Sequence, residues 1–565
     1  MPSAKHTRVT VRMMVVDAAN IAAPVYYQRG AEQALPMVSS GAYPTSGDLS
    51  TAASDTRAGG SAGPWRLAAD LAVALDLAAI GAVALAIRWL GLTRQSLWLD
   101  EAYSVFLSTH QLPTIIGFTA GSDAHPPLYY ILLHTWMVFF GTTPAAARGL
   151  SVVASVGATW ALYAVARQIA SRRVALLAAT MMALSAFQVW YAQEARMYAL
   201  VTLATLIGLV GLTRALRGAG LWAWVTFSAG MIVAFYLDYS AMYGMVGVVV
   251  WFLVVGRKRS GVSLPFLLSV GGIFLAYLPW LPSLVEQIRG VSGLVAWIGG
   301  SSGTGVINVL TDFFFNLSNL SQPITGPLGY TAVAISLGAT AFALWAPRRQ
   351  AAYPLLAYWV CGPLALGLLS EFLGHPITIA RTMMLVQPEL FLLLALAVDA
   401  LVSRWSRNRA ARVRVAVAGL LLLALLAGNV AALTRANTTI VKEDWSGAAT
   451  YVASREQPGD LILFNAYFTQ MPFDYYFHQR PHGEEPLATE RGYQLQETLL
   501  YSNLAQANQG LTSASELQGY GRVWLIVSHA PSGDAAIPAD LAAHYQLISK
   551  HELVGVTVLL FQTLA

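Results

Sequence analysis

The stretch SLWLDEAYS (Ser96–Ser104) sets two adjacent carboxylates, Asp100 and Glu101, just beyond a long apolar run and among Trp98, Tyr103 and Phe106. The 565-residue chain is 56% hydrophobic and 11% charged, carries 16 Trp and has a mean hydropathy of +0.54. Soluble domains carry about 25% charged residues, so this composition means a polytopic membrane protein. The acidic pair therefore marks either the end of a span or chemistry at the membrane surface. A pair of solvated helix caps is the plainer reading. The aromatic flanks argue against it, because they hold the loop near lipid, where a carboxylate's charge is disfavoured and a general base is favoured.

Several classes fall away at once. The single cysteine, Cys361, permits no internal disulfide and no cysteine metal site. Without a Gly-Lys pair there is no Walker loop, and no HExxH motif occurs. The net charge of +5 is small for this length, and its placement accounts for it without a nucleic-acid partner.

Working outward from Ser96, stretches long enough to span, about 17 to 25 residues, occur at 66–92, 146–166, 174–190, 198–214, 221–237, 243–256, 263–282, 329–346, 352–372, 383–403 and 413–434. This predicts about 11 spans, with 12 or 13 admissible. The clusters RQIASRR (Arg167–Arg173), RALR (Arg214–Arg217), RKR (Arg257–Arg259), Arg348-Arg349 and RWSRNRAARVR (Arg404–Arg414) fall on alternate connections. They hold 15 Lys/Arg and no Asp or Glu. The positive-inside rule makes them cytoplasmic. The N-terminus is then inside, and the acidic and His-bearing clusters lie on the outer face of the plasma membrane. LYYILLHTWMVFFG (Leu128–Gly141) would invert this pattern as a span, so it reads as a helix in the outer interface.

Three domains follow. Residues 1–65, with the Gly/Ser/Thr/Ala-rich run Ser39–Gly63, read as a disordered cytoplasmic tail. Residues 66–436 form the transmembrane catalytic domain, with an outer loop at 93–145. Residues 437–565 read as a soluble α/β domain outside the membrane, with a helix in EDWSGAATYVASR and strands in DLILFNAY, RVWLIVSH and VGVTVLLFQT. The aromatic loop 283–328 is long enough to cover a site at the outer interface.

The remaining chemistry sits on that face. In SDAHPPLYY (Ser122–Tyr130) two prolines fix the backbone and project Asp123 and His125, with Tyr129 just behind. In YAQEARMYAL (Tyr191–Leu200) a helix puts Tyr191, Glu194 and Tyr198 on one face beside Arg196. GHPITIARTMM supplies His375 and Arg381, a cation suited to a phosphate. Singly these read as a helix start, a loop ion pair and a snorkelling anchor. Together they suit a substrate both anionic and lipidic, a phosphate at the bilayer surface with its chain in a groove. The sequence requires no cofactor; a divalent cation could be ligated by Asp100, Asp123, His125 and Glu194.

LWLDEAYS, DAHPPLYYILLHTWMVFFGTTPAAARGLSVV, YAQEARMYAL, YLPWLP (Tyr277–Pro282) and KEDWSGAATYV carry a resemblance across about residues 80–460. The chain resembles the GT-C superfamily of integral-membrane glycosyltransferases, in the family 39-like group of protein O-mannosyltransferases, aminoarabinose transferases and Rgt-type transferases. The resemblance implies a polyprenyl-phosphate sugar donor, a glycan, lipid or protein acceptor, and inverting single displacement on the outer face. It puts the catalytic pair at Asp100 and Glu101, with Asp100 favoured as base. The second acidic position falls on Asp123 or Glu194, and Arg196 and Arg381 become donor-phosphate contacts. His125, Tyr129 and Tyr198 complete the substrate-binding candidates. Members commonly show Arg-Tyr where this chain has Arg381-Thr382. The competing function is a transporter or flippase of a lipid-linked or anionic substrate, which would place ionisable groups near mid-span. Asp70, Asp76 and Asp399 are among the acidic residues within spans, and the mid-span segments are otherwise nearly free of charge, which weighs against it.

Overall fold

The computed structural model describes residues 64–294, 305–316, 326–345, 352–373, 378–403, 409–465, 467–478, 489–491, 517, 519–529 and 539–564. The N-terminal tail, His375, residues 299–304, both arginines of Arg348-Arg349 and much of the aromatic loop lie outside them.

Helices account for nearly all the described residues before Thr439. In chain order they are α1 (Pro64–Trp89), α2 (Leu99–Ser108), α3 (Leu112–Ser122), α4 (Leu128–Phe140), α5 (Pro144–Ile169), α6 (Arg172–Leu184), α7 (Ala186–Ala192), α8 (Tyr198–Ala215), α9 (Leu221–Leu237), α10 (Ala241–Val254), α11 (Ser263–Tyr277) and α12 (Leu281–Leu294). The bundle continues with α13 (Gly305–Phe315), α14 (Gly326–Trp345), α15 (Ala352–Phe372), α16 (Gln387–Val402) and α17 (Arg409–Thr438). Each of the eleven apolar stretches falls on one of these helices or on the pair α6–α7. Among the described residues, seven helices are long and apolar enough to cross a membrane, eight if that bent pair is one span. The chain is a polytopic α-helical membrane protein. At about 1.5 Å per residue, the 13-residue α4 is far too short to span. It buries Tyr129, Tyr130, Leu133 and Met137 and exposes Val138, Phe139 and Phe140, as an interfacial helix does.

Small residues set how closely the spans approach. A Cβ on Gly230 of α9 would lie 2.5 Å from Gly208 N and 2.8 Å from Ala204 O of α8. A Cβ on Gly362 of α15 would meet the Gly247 Cα of α10 at 2.7 Å.

One span is broken. α6 and α7 meet at 58° around Ser185, and several polar groups freed there find partners on other helices. Arg88 of α1, fully buried, donates to the carbonyls of Met182 (3.3 Å) and Ala183 (3.1 Å) at the end of α6, and to Ser155 Oγ (2.8 Å). The Ala186 amide donates to Asn429 Oδ1 of α17 at 2.7 Å, and Gln387 of α16 donates to Ser185 Oγ at 3.1 Å. Non-helical backbone at membrane depth is tolerated where protein satisfies it, and a cation suits a helix C-terminus. The break re-aims α7, so that the turn 193–197 emerges beside α2. Gln193 Nε2 fastens that turn to the carbonyls of Arg88 (2.9 Å) and Leu90 (2.7 Å).

Beyond α17 lies a small α/β unit. Helices α18 (Trp445–Ala453) and α19 (Gln470–Phe477) pack beside a five-stranded sheet of order β2-β1-β3-β5-β4. Its strands are β1 (Leu461–Phe464), β2 (Thr489–Arg491), β3 (Arg522–Val527), β4 (Tyr545–Leu553) and β5 (Val556–Thr563). β1 runs parallel to β2 and β3, and β5 antiparallel to β3 and β4. The sequence names β1, β3, β5 and α18. It misses β4, whose outward residues show no apolar run, and the three-residue β2. A polar seam joins this unit to the segment before α2. Gln95 Oε1 accepts from the amides of Val441 (2.9 Å) and Lys442 (3.1 Å), Ser96 Oγ donates to Asp444 Oδ1 (3.2 Å), and the Leu97 amide donates to Tyr476 OH (2.7 Å).

Candidate active site

The connections that carry acidic and His-bearing motifs converge at one end of the bundle, while Asp76 pairs with Arg172, beside the Arg167–Arg173 cluster (2.6 Å). At the acidic end, α2 starts with Asp100 and Glu101 in its first turn, where the helix N-terminus favours negative charge. The two side chains then part company.

Glu101 is fully buried. Arg148 of α5 grips it bidentately, Nε to Oε1 and Nη2 to Oε2, both at 2.7 Å. The same guanidinium donates to the carbonyls of Leu92 (2.6 Å), Gln95 (2.9 Å) and Ser96 (3.0 Å), so all five N–H groups are used. The Ala195 amide adds a bond to Oε1 at 2.8 Å, and Lys442 Nζ lies 3.3 Å from Oε2. Burial acts to raise this carboxyl's pKa, but Arg148 and Lys442 outweigh it and hold it at about 2. The argument from an apolar boundary therefore fails for Glu101, which is a buried, ion-paired anion.

Asp100 remains 29% exposed. Its Oδ2 is 3.3 Å from Arg381 Nη1 and 3.9 Å from Arg196 Nη2. Arg381 comes from the 3-10 turn Ala380–Val386 ahead of α16 and packs over the Trp98 ring, 5.8 Å from its centroid. Arg196, nearly buried, also donates to Ser104 Oγ at 3.1 Å and approaches His125 Nε2 at 3.4 Å.

Asp123 and His125 form a second group. Asp123 is buried and accepts from Tyr103 OH (3.0 Å), its neighbour Ala124 N (2.6 Å) and His125 Nδ1 (3.1 Å). Burial pushes its pKa up, but the bond to His125, that imidazole's charge, Tyr130 and Arg196 win and lower it. With Nδ1 donating to Asp123, Nε2 faces Arg196 and lies 3.9 Å from Asp238 Oδ2. Tyr129 is fully buried against Tyr130, rings 5.5 Å apart, and Tyr198 stacks edge-on with Tyr191 at 5.3 Å, with Arg196 6.0 Å from its ring centroid.

Glu194 points the other way, into the protein, where Lys442 Nζ binds its Oε1 at 2.9 Å. Burial raises its pKa, with Lys442 opposing and Glu101 reinforcing. Asp100, Asp123, His125 and Glu194, offered by the sequence as metal ligands, do not gather. Among the described residues no group of three or more His, Cys, Asp or Glu is placed to hold an ion. Each of the three carboxylates is instead committed to an arginine, a lysine or a histidine.

Sequence reasoning missed Arg148, Asp238, Lys442, Glu443 and His529 as site residues. The signals were present in ARGLSVV, LDYSAMYG, KEDWSG and RVWLIVSH, but their partners are remote. His529 Nε2, at a positive φ of 56°, pairs with Glu443 Oε1 at 2.8 Å, and the bond and charge of Glu443, helped by Asp100, raise its pKa against burial.

Comparisons with known proteins found a likeness of sequence and likenesses of fold. Residues 124–282 match the model of the dolichyl-phosphate-mannose-protein mannosyltransferase family, a segment that includes His125, Glu194, Arg196 and Asp238. The structure of ArnT from Cupriavidus metallidurans bound to undecaprenyl phosphate is similar, with a TM-score of 0.56 and 14% identity, over 86% of this chain and 97% of that one. Its apo state gives 0.56 and 14%, over 87% and 98%. The Archaeoglobus fulgidus oligosaccharyltransferase tethered with an acceptor peptide gives 0.47 and 14%, over 72% of this chain and 63% of its own length. No curated protein sequence matches the chain. The likeness to ArnT shows the fold alone, a polytopic helical bundle carrying a small α/β unit.

Proposed function

We propose that this GT-C chain is a glycosyltransferase that moves a sugar from a polyprenyl-phosphate donor to an acceptor hydroxyl on the outer face of the plasma membrane, with inversion. The observation that carries the reading is Asp100, a reachable carboxylate flanked by two guanidiniums, while its neighbour Glu101 is sealed away. The mannosyltransferase model match across residues 124–282 supports the donor class.

The acceptor oxygen attacks the anomeric carbon as Asp100 takes its proton. The bond from that carbon to the phosphate oxygen breaks, and polyprenyl phosphate leaves with the electron pair. The leaving group is already an anion, so cations serve it better than a general acid. Arg381 and Arg196 are suited to this, because guanidinium binds phosphate with directed hydrogen bonds. Both hold Asp100 before substrate arrives, and a donor phosphate that draws them off frees the carboxylate to act as base. Asp123 fixes His125, whose Nε2 faces Arg196 at the acceptor side. Glu101 and Glu194 are positioning groups.

The test is incubation of the purified, reconstituted chain with a panel of polyprenyl-phosphate sugars, following glycoside formation and release of polyprenyl phosphate. Product from at least one donor is expected. Consumption of none refutes the proposal, and uptake of the donor into vesicles without a glycosidic product assigns a flippase instead.

A further inference from the structure

Lys442 sits at the root of the α/β unit, four residues after the end of α17. Its side chain is only 8% exposed. The ammonium is shared between two carboxylates, Glu194 Oε1 at 2.9 Å and Glu101 Oε2 at 3.3 Å, and lies over the rings of Trp190 (5.1 Å to the centroid) and Trp98 (5.7 Å). Its backbone is fixed as well, since its own amide and that of Val441 donate to Gln95.

The charges of this cluster balance only with Lys442 present. Arg148 neutralises Glu101, and Lys442 neutralises Glu194, which is 2% exposed. An uncompensated buried carboxylate must move, take up a proton or admit water. Glu194 has little freedom to move without consequence. The next residue, Ala195, donates its amide to Glu101, and the one after that is Arg196, whose guanidinium lies against Asp100 and His125.

We propose that Lys442 is a positioning residue for sugar transfer, holding the 194–196 turn by neutralising Glu194, so that the α/β unit sets the geometry of Arg196 and Asp100. This rests on the glycosyltransferase reading above. It differs from a direct substrate contact, because Lys442 acts through Glu194 and not on the donor phosphate.

The test is a double-mutant cycle on the full chain, with kcat measured per folded molecule against a polyprenyl-phosphate sugar. In the wild-type background K442M is expected to lower kcat by about a hundredfold, the cost of misplacing a reacting group by roughly 1 Å. In the E194Q background the same substitution is expected to cost less than about tenfold, because no carboxylate is left to neutralise. Equal factors in the two backgrounds overturn the proposal and make Lys442 a direct contact. An unchanged kcat in both, with only a lower melting temperature, also overturns it and leaves a structural role.

A pH profile separates the cases further. Glu194 faces Lys442, Glu101, Arg148, Arg381 and Tyr198. Loss of Lys442 removes the nearest cation, so K442M should recover activity as pH falls and Glu194 takes up a proton, while K442M/E194Q should not. If K442M cannot be obtained folded, E194Q against K442M/E194Q still carries the test, because a loss of a hundredfold there overturns the linkage. A wild-type chain inactive on every donor refutes the function instead. The linkage is then judged from the melting temperatures of the four proteins, which must be non-additive for it to stand.

Discussion

Asp100 and Glu101 are neighbours in sequence and should have opposite phenotypes. Asp100→Asn keeps the size of a side chain that is 29% exposed and held by two guanidiniums, one of them itself partly exposed. On the proposed mechanism its loss removes the base, a contribution of about 10²–10⁴-fold in rate, and takes from the nearly buried Arg196 only a charge 3.9 Å away. Glu101→Gln removes one partner of a bidentate pair whose members are 0% and 1% exposed. Arg148 would remain buried beside a neutral amide, and breaking such a pair costs about 3–5 kcal/mol. The assay is two measurements on each variant in detergent, the melting temperature and the single-turnover rate with a polyprenyl-phosphate sugar. D100N should melt near the wild-type temperature and lose at least about a hundredfold in rate. E101Q should melt well below it, with any surviving folded molecules far more active than D100N. An E101Q protein that melts normally but does not react would reverse the two roles and refute the argument from burial.

Two further expectations concern the bundle and the α/β unit. Gly230→Ala forces a Cβ within 2.5 Å of the Gly208 amide nitrogen and should destabilise the chain by about 1–3 kcal/mol, whereas Gly271→Ala on α11 meets nothing within 4 Å and should be neutral or slightly stabilising; thermal melts that rank them the other way would show that α8 and α9 do not approach as described. The Glu443 carboxylate raises the His529 pKa above its ordinary 6.5. The pair's contribution is then full below about pH 6.5 and lost as pH rises through the higher folded value. His529→Gln should lower the melting temperature at pH 6 and cease to matter at pH 9, and a deficit that grows with pH would contradict the pairing.

Much of the scaffold was legible because hydropathy is local. Each of the eleven apolar stretches lands on helix, and α4 was recognised as too awkward for a span from arginine placement alone. The α6–α7 break was not legible. Its cause is distributed over Arg88, Gln387 and Asn429, three polar residues on three other helices, and none of them lies near Ser185 in sequence. Within the site, motif reading named Asp100, Asp123, His125, Arg196 and Arg381, which the fold brings to one end of the bundle, and Glu194, which turns into the protein toward Lys442. It missed their counter-charges. Arg148 stands near the start of α5, and its partner is 47 residues away; Lys442 reaches across 341 residues to the same carboxylate.

That omission explains why the acidic pair could not be divided from sequence. Successive residues of an α-helix diverge by about 100°, so one carboxylate of an adjacent pair at a bundle edge faces outward while the other faces the core. Which is which depends on where the cations are. Arg148 rises from α5 behind α2 and captures Glu101, whereas Arg196 and Arg381 come from the turn after α7 and the turn before α16, on the side of Asp100. The buried pair gives α2 a fixed rotation about its axis, and that rotation presents Asp100. A sealed ion pair of this kind gains little net stability. Its effect is orientation, and it keeps the adjacent carboxylate exposed between Arg196 and Arg381, where the proposed transfer needs it.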